Sequence, residues 1–172
     1  KLSRRARPDA LGQPVAGAPP VRACIIGGGM IGREHLKILR GMENAEVLAV
    51  CDLDEEAAQA LAAEHDVPAS YTDAAAMVEA EAPDVVHILT PPQSHATLAE
   101  LAIENGCHVL VEKPVCHDYK DVIRAQELAD KKGLKTKVGL TFRYAPAVQY
   151  MFSLVRDGFI GDPFVFNGYE QN

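Results

Sequence analysis

The sequence predicts an α/β chain: a doubly wound parallel sheet with helices packed on both of its faces. Two observations carry this. Short apolar runs alternate with helix-period segments through most of the 172 residues, and Gly, Pro, Asn and Asp mark the junctions. A hydrophobic share of 48% supplies one domain with a sizeable core plus a short extension, but not two large domains.

In chain order, residues 1–20 mix Arg, Pro, Gly and Ala without a hydrophobic period and read as a flexible N-terminal arm. The chain begins at Lys1 rather than Met, so an upstream segment is expected to have been removed. Val21–Ile26 is an apolar run closed by glycines, and Ile31, His35, Leu36 and Leu39 follow at helical spacing, giving strand, turn and helix. Residues 46–51 form a second run ending at Asp52, and Asp54-Glu55-Glu56 place acids in the first turn of an Ala-rich helix.

A short strand at Ser70-Tyr71 leads to Asp73, placed to cap a helix over 74–80. Residues 85–89 read as a buried strand, ended by Thr90-Pro91-Pro92. A helix over 94–104 stops at Asn105-Gly106, and a strand over 107–111 is closed by Glu112-Lys113-Pro114. Asp118 opens a helix to about Lys132, and 135–140 is a further strand. Past Arg143-Tyr144-Ala145-Pro146, the residues Val148, Met151, Phe152 and Val155 mark one more helix, stopped by Gly158. Residues 163–169 then start a strand with no evident partner in this chain.

Charge narrows the partners. A net charge of −7 argues against nucleic acid and against an anionic membrane surface, and favours a small molecule. No run approaches the roughly 18 apolar residues of a membrane span, and no secretory apolar region is found at the N-terminus. Cys24, Cys51, Cys107 and Cys116 show no CxxC spacing, and three of them fall in or beside apolar runs that read as buried strands, as reduced core thiols of a cytoplasmic protein do. Cys107-His108 and Cys116-His117 match no zinc spacing, so no metal is expected.

The turn after the first strand carries the chemistry. In Gly27-x-Gly29-x-x-Gly32 the first glycine permits a tight turn, the second lets backbone approach a pyrophosphate, and the third lets helix and strand pack closely. N–H groups at the start of the helix, at Met30 and Ile31, receive the phosphate charge. A glycine pattern alone is weak, but this one follows a strand and precedes a helix, which makes it a Rossmann dinucleotide site. Asp52, twenty residues past Gly32, is placed at the tip of strand two to accept from ribose hydroxyls and to repel a 2′-phosphate, so NAD is expected rather than NADP. It could instead cap the next helix, a role open to Asp54 as well. Thr90 and Pro91 end a central strand, where ligands of open α/β sheets bind. His95 reads as a first-turn helix residue facing solvent or backbone more readily than as a base, and is assigned to the cofactor pocket. Glu112 and Lys113 sit at another strand tip, where Lys113 is either a surface lysine or a group beside the nicotinamide.

Taken in order, the glycine run with Asp52, Thr90-Pro91 with His95, residues 106–111, Glu112-Lys113-Pro114, Arg143-Tyr144-x-Pro146 and Gly158-x-Ile160-Gly161 resemble the Gfo/Idh/MocA oxidoreductases over about residues 21–170. The resemblance implies an NAD(P)-binding Rossmann domain over 21–142. It implies that residues 143–172 are the linking helix and first strand of a second α/β domain, truncated here, whose open sheet carries substrate residues and makes homo-oligomers. It implies that Lys113 is catalytic, contacting the reacting hydroxyl or carbonyl, and that Arg143 lies near cofactor and substrate, although Thr141 stands where an Asn is common. Members continue further and supply an Asp and a His that orient substrate and exchange the proton. The expected activity is an NAD-dependent dehydrogenase acting on the carbinol carbon of a sugar, inositol or related polyol. A dinucleotide-binding regulatory module without turnover is the alternative on the same fold.

Overall fold

The computed structural model describes residues 18–168, so most of the expected N-terminal arm, and Tyr169, lie outside the described residues. The chain divides into two compact units, one up to Val138 and one from Gly139. The first alternates strand and helix throughout: β1 (Val21–Ile26), α1 (Met30–Arg40), β2 (Ala45–Cys51), α2 (Glu55–Glu64), β3 (Ala69–Tyr71), α3 (Ala74–Glu81), β4 (Val85–Ile88), α4 (Pro92–Glu104), β5 (His108–Val111), α5 (Tyr119–Lys132) and β6 (Thr136–Val138).

All six strands are parallel, in the order β3-β2-β1-β4-β5-β6. Strand residues point alternately to the two faces, so a strand covered on both sides must be apolar at every position. β1 shows this: Ala23 and Ile25 join Leu36, Leu39 and Leu61 on the face covered by α1 and α2, while Cys24 and Ile26 join Met77, Ala102 and Ile103 on the face covered by α3, α4 and α5. The crossovers from β1 to β3 thus use one face, and those from β3 to β6 the other. This is the Rossmann doubly wound fold that the sequence predicts.

The ends of elements differ by a residue or two, for local reasons. α4 starts at Pro92 rather than Ser94, because proline fixes a helical φ and lacks the N–H that a first turn leaves unused. β6 is shorter than its apolar run, because its ladder with β5 spans only Thr136 to Val138.

In the second unit, a 3-10 turn over Thr141–Tyr144 precedes α6 (Pro146–Arg156), and Gly158 follows in the left-handed region at φ 79°. The strand expected from Pro163 onward is not formed among the described residues, which are irregular through Gly168. Phe164, Val165 and Phe166 have strand-forming side chains, but they stand exposed, and such propensity becomes a strand only when a neighbour completes the ladder.

Candidate functional site

A cavity of about 530 Å³ opens at the carboxyl ends of the strands, where the sheet order reverses between β1 and β4. Gly27 and Gly29 form one wall, Asp52 and Leu53 a second, and Thr90, Pro91 and Ser94 a third. Thr72, Ala74 and Leu98 close the far side.

Each glycine of the loop has its own reason. Gly27 has φ 109°, and a Cβ there would sit 2.8 Å from the Leu89 carbonyl at the end of β4. Gly32 would place a Cβ 2.1 Å from the Gly27 carbonyl oxygen, so only a hydrogen lets α1 start this close to β1. Nothing lies within 4 Å of a Cβ at Gly29, so protein packing leaves that position free.

Helix caps point the same way. α2, α3 and α5 begin at Asp54, Asp73 and Asp118, whose carboxylates accept from N–H groups of the first turn. α1 begins at Gly29 with no side-chain cap and no acidic residue in its first turn. Its first N–H groups and the positive end of its dipole are therefore available to an anion. Met30 and Ile31, in that turn, are exposed.

Asp52 stands beside this loop. One carboxylate oxygen accepts from the Gly28 N–H at 2.6 Å and the other from the Asp54 N–H at 3.1 Å. The carboxylate thus ties the glycine loop to the tip of β2, and α2 is capped by Asp54, whose side chain accepts from Ala57 N. Asp52 keeps lone pairs for hydroxyl donors and presents a negative charge to the cavity. The uncapped helix start, the open space at Gly29 and the carboxylate one strand away fit a dinucleotide: pyrophosphate at α1, ribose at Asp52.

The other expected residues lie around this cavity or apart from it. Lys113 is exposed beyond the tip of β5, one strand from Thr90, and its ammonium makes no ion pair among the described residues. Its N–H donates to Glu112 Oε2 at 2.9 Å, so Glu112 folds back on its own turn. His95 does not face the cavity as expected. Its ring is 1% exposed and both nitrogens meet carbonyl oxygens, Nε2 that of Thr90 at 2.6 Å and Nδ1 that of Pro114 at 2.9 Å. A first-turn position predicted solvent or backbone contact; backbone on two sides was not legible, because Pro114 is 19 residues away. Arg143 is exposed in the 3-10 turn of the second unit, where its carbonyl accepts from the Gln149 side chain.

Sequence reasoning missed several groups. Ser94 bonds Thr90 Oγ1 at 2.7 Å and donates to the Pro91 carbonyl at 2.9 Å, fixing the turn that walls the cavity. His35 and His87 bring their Nδ1 atoms to 3.0 Å with the rings edge to face. Burial, then the charge of neighbouring His35, pulls His87 down from 6.5 to about 4; burial also lowers His35, opposed by Glu112. The helical spacing of His35 and the central place of His87 in its strand were the only hints. Burial pushes the Cys24 thiol up to about 12 and Cys51 to about 11, so neither is a nucleophile. His108 is tied to the chain, its Nδ1 accepting from Lys135 N–H at 3.1 Å.

Fold and cavity together define a dinucleotide-binding α/β domain. Residues 21–140 match the family model described as an oxidoreductase family with an NAD-binding Rossmann fold. The chain belongs to this family, the Gfo/Idh/MocA oxidoreductases, and its Rossmann domain is of the NAD-binding kind. It is 36% identical over 143 residues to D-apiose dehydrogenase of Paraburkholderia graminis, covering 83% of this chain and 38% of that protein. It is 30% identical over 155 residues to inositol 2-dehydrogenase of Salmonella typhimurium, covering 88% and 46%. The scyllo-inositol dehydrogenase of Lactobacillus casei, solved with NAD(H) and scyllo-inositol, superposes with a TM-score of 0.79 at 26% identity over 83% of this chain and 43% of that one. The chain thus spans less than half the length of these relatives. Among the described residues no helix is long and apolar enough to cross a membrane.

Proposed function

We propose that the complete protein is an NAD-dependent dehydrogenase that moves a hydride between the nicotinamide and the carbinol carbon of a sugar, inositol or related polyol. The observation that carries it is the uncapped start of α1 beside the Asp52 carboxylate, both lining the cavity at the β1/β4 switch point. The dehydrogenases named above support the substrate class.

Bound NAD supplies the hydride acceptor. The chain's own residues hold and orient. Gly27, Gly29 and Gly32, with the first-turn N–H groups at Met30 and Ile31, take the pyrophosphate, and Asp52 takes the adenosine ribose. Thr90 and Pro91 form the wall towards the reacting end, with Glu112 holding the turn before Lys113. The ammonium of Lys113 donates to the substrate oxygen and stabilises negative charge as the carbinol hydrogen leaves. The proton acceptor belongs to a further domain that also makes the homo-oligomer. Four free thiols suit a reducing, cytoplasmic setting.

Lys113→Met in the complete protein tests this. Turnover falls by about 100-fold or more while the affinity for NADH stays within about threefold, because the charge is lost from the reacting end alone. Undiminished turnover would remove Lys113 from the chemistry.

A further inference from the structure

We propose that His95 is a positioning residue: a buried imidazole that staples the Thr90 wall of the cavity to the Lys113-Pro114 turn, and so sets where Lys113 stands. The two segments leave neighbouring strands, Thr90 following β4 and Pro114 following β5, and the β4–β5 ladder ends at Ile88 and Val111. The Glu112 N–H still bonds the Ile88 carbonyl at 2.9 Å, but past it no backbone bond joins the two segments among the described residues. His95 spans that gap, from Thr90 O at 2.6 Å to Pro114 O at 2.9 Å.

Three features make this a device for position rather than a packing contact. Both partners are carbonyl oxygens, which only accept, so each contact needs a ring N–H: the neutral ring supplies one, the imidazolium both, and an apolar side chain of similar shape none. The ring is 1% exposed, so water is not at hand to satisfy those carbonyls when it is removed. The Thr90 end is itself fixed, since Thr90 Oγ1 bonds Ser94 on the same helix turn as His95, and Ser94 bonds Pro91 O. A rigid anchor on α4 therefore reaches across to the carbonyl of Pro114, the residue that follows Lys113.

The effect on catalysis rests on the reading of Lys113 above; the staple itself does not. The test uses His95→Ala, His95→Gln and Lys113→Met in the complete protein, with hydrogen exchange read on the ligand-free form. His95→Ala should speed exchange by about tenfold or more in residues 90–94 and 112–116 while 21–32 keeps its protection. His95→Gln, whose amide N–H can still donate to one carbonyl, should recover part of that protection and folds if the alanine variant does not. In His95→Ala, kcat should drop by about 100-fold with NADH affinity within about threefold, since a shift near 1 Å at the reacting end costs about that much. Added to Lys113→Met, His95→Ala should lower kcat by no more than about twofold further. Unchanged exchange at 112–116, or equal loosening of 21–32, would overturn the staple, leaving His95 an ordinary core residue. Full turnover in Lys113→Met would instead overturn the Lys113 reading, and the exchange data would still decide the staple.

Discussion

Two glycines of one loop should respond in opposite ways to the same substitution. At Gly32 an added Cβ meets the Gly27 carbonyl oxygen at 2.1 Å, where ordinary contact begins near 3.4 Å. That oxygen is backbone, held where the Gly27 N–H donates to Cys51 O at 2.8 Å, and it cannot swing aside as a side chain would. Alanine inside a helix gains about 1 kcal/mol over glycine, but overpacking against fixed atoms costs about 1–3 kcal/mol or more, and an overlap of this depth lies at or beyond the upper end. Gly32→Ala is therefore expected to lose about 2 kcal/mol net, or roughly 4–8 °C in Tm for a chain of this size. At Gly29 a Cβ has open space, and its φ of −68° suits any residue. The poorer cap and the less flexible unfolded chain nearly cancel, so Gly29→Ala should melt within about 1 kcal/mol of the parent. Its cost falls on the ligand: the methyl stands where the pyrophosphate approaches, and NADH affinity should fall by about tenfold or more. Thermal melts with and without NADH, together with fluorescence titration, read both quantities. If Gly29→Ala destabilised the free protein as much as Gly32→Ala, or if Gly32→Ala melted like the parent, the packing roles given to these glycines would be wrong.

The remaining predictions concern charge. Asp52→Asn keeps an acceptor for the Gly28 N–H and removes the negative charge, so NADPH should gain on NADH by about tenfold in relative affinity, read by parallel fluorescence titrations; an unchanged ratio would strip Asp52 of its selective role. His87 titrates near 6.5 when unfolded and near 4 when folded, so the unfolded state binds the extra proton between those values; stability is full above pH 6.5 and falls by up to about 3 kcal/mol as pH drops towards 4. Urea midpoints at pH 7.5 and 4.5 should lie further apart in the parent than in His87→Gln, and an equal drop in both would show that the buried imidazole is not responsible.

What the sequence made legible was whatever the backbone dictates locally. The glycines announce themselves because no other residue tolerates φ 109° at position 27 or the contact at position 32, and Asp52 because a carboxylate closing an apolar run is out of place there. Leu53, Thr72 and Leu98 line the same cavity and were invisible, since apolar residues and threonine at such points are what any sheet needs. His87 sat inside a strand whose other residues are apolar, and its partner His35 is 52 residues away. The lost strand after Pro163 shows the complementary limit. Side-chain propensity states that a segment can be a strand, but a ladder is a relation between two segments, and only one of them stands among the described residues.

The capping pattern joins fold and function. A side-chain cap stabilises a helix by about 1 kcal/mol, and this chain spends an aspartate on three of the five helices of its first unit. α4 has none, but it opens with Pro92, which has one N–H fewer to satisfy. α1 alone among the five has neither device, although an acid at position 29 would fit the space available. On the proposed reading, such an acid would place a negative charge where the pyrophosphate binds, and would occupy the N–H groups that take it. Asp52 supplies the carboxylate instead from the neighbouring strand, bonding Gly28 just ahead of the helix, so the loop is held while the helix start stays open. On that reading, the stability given up at α1 is recovered when the anion binds, which would couple the domain's folding to its cofactor.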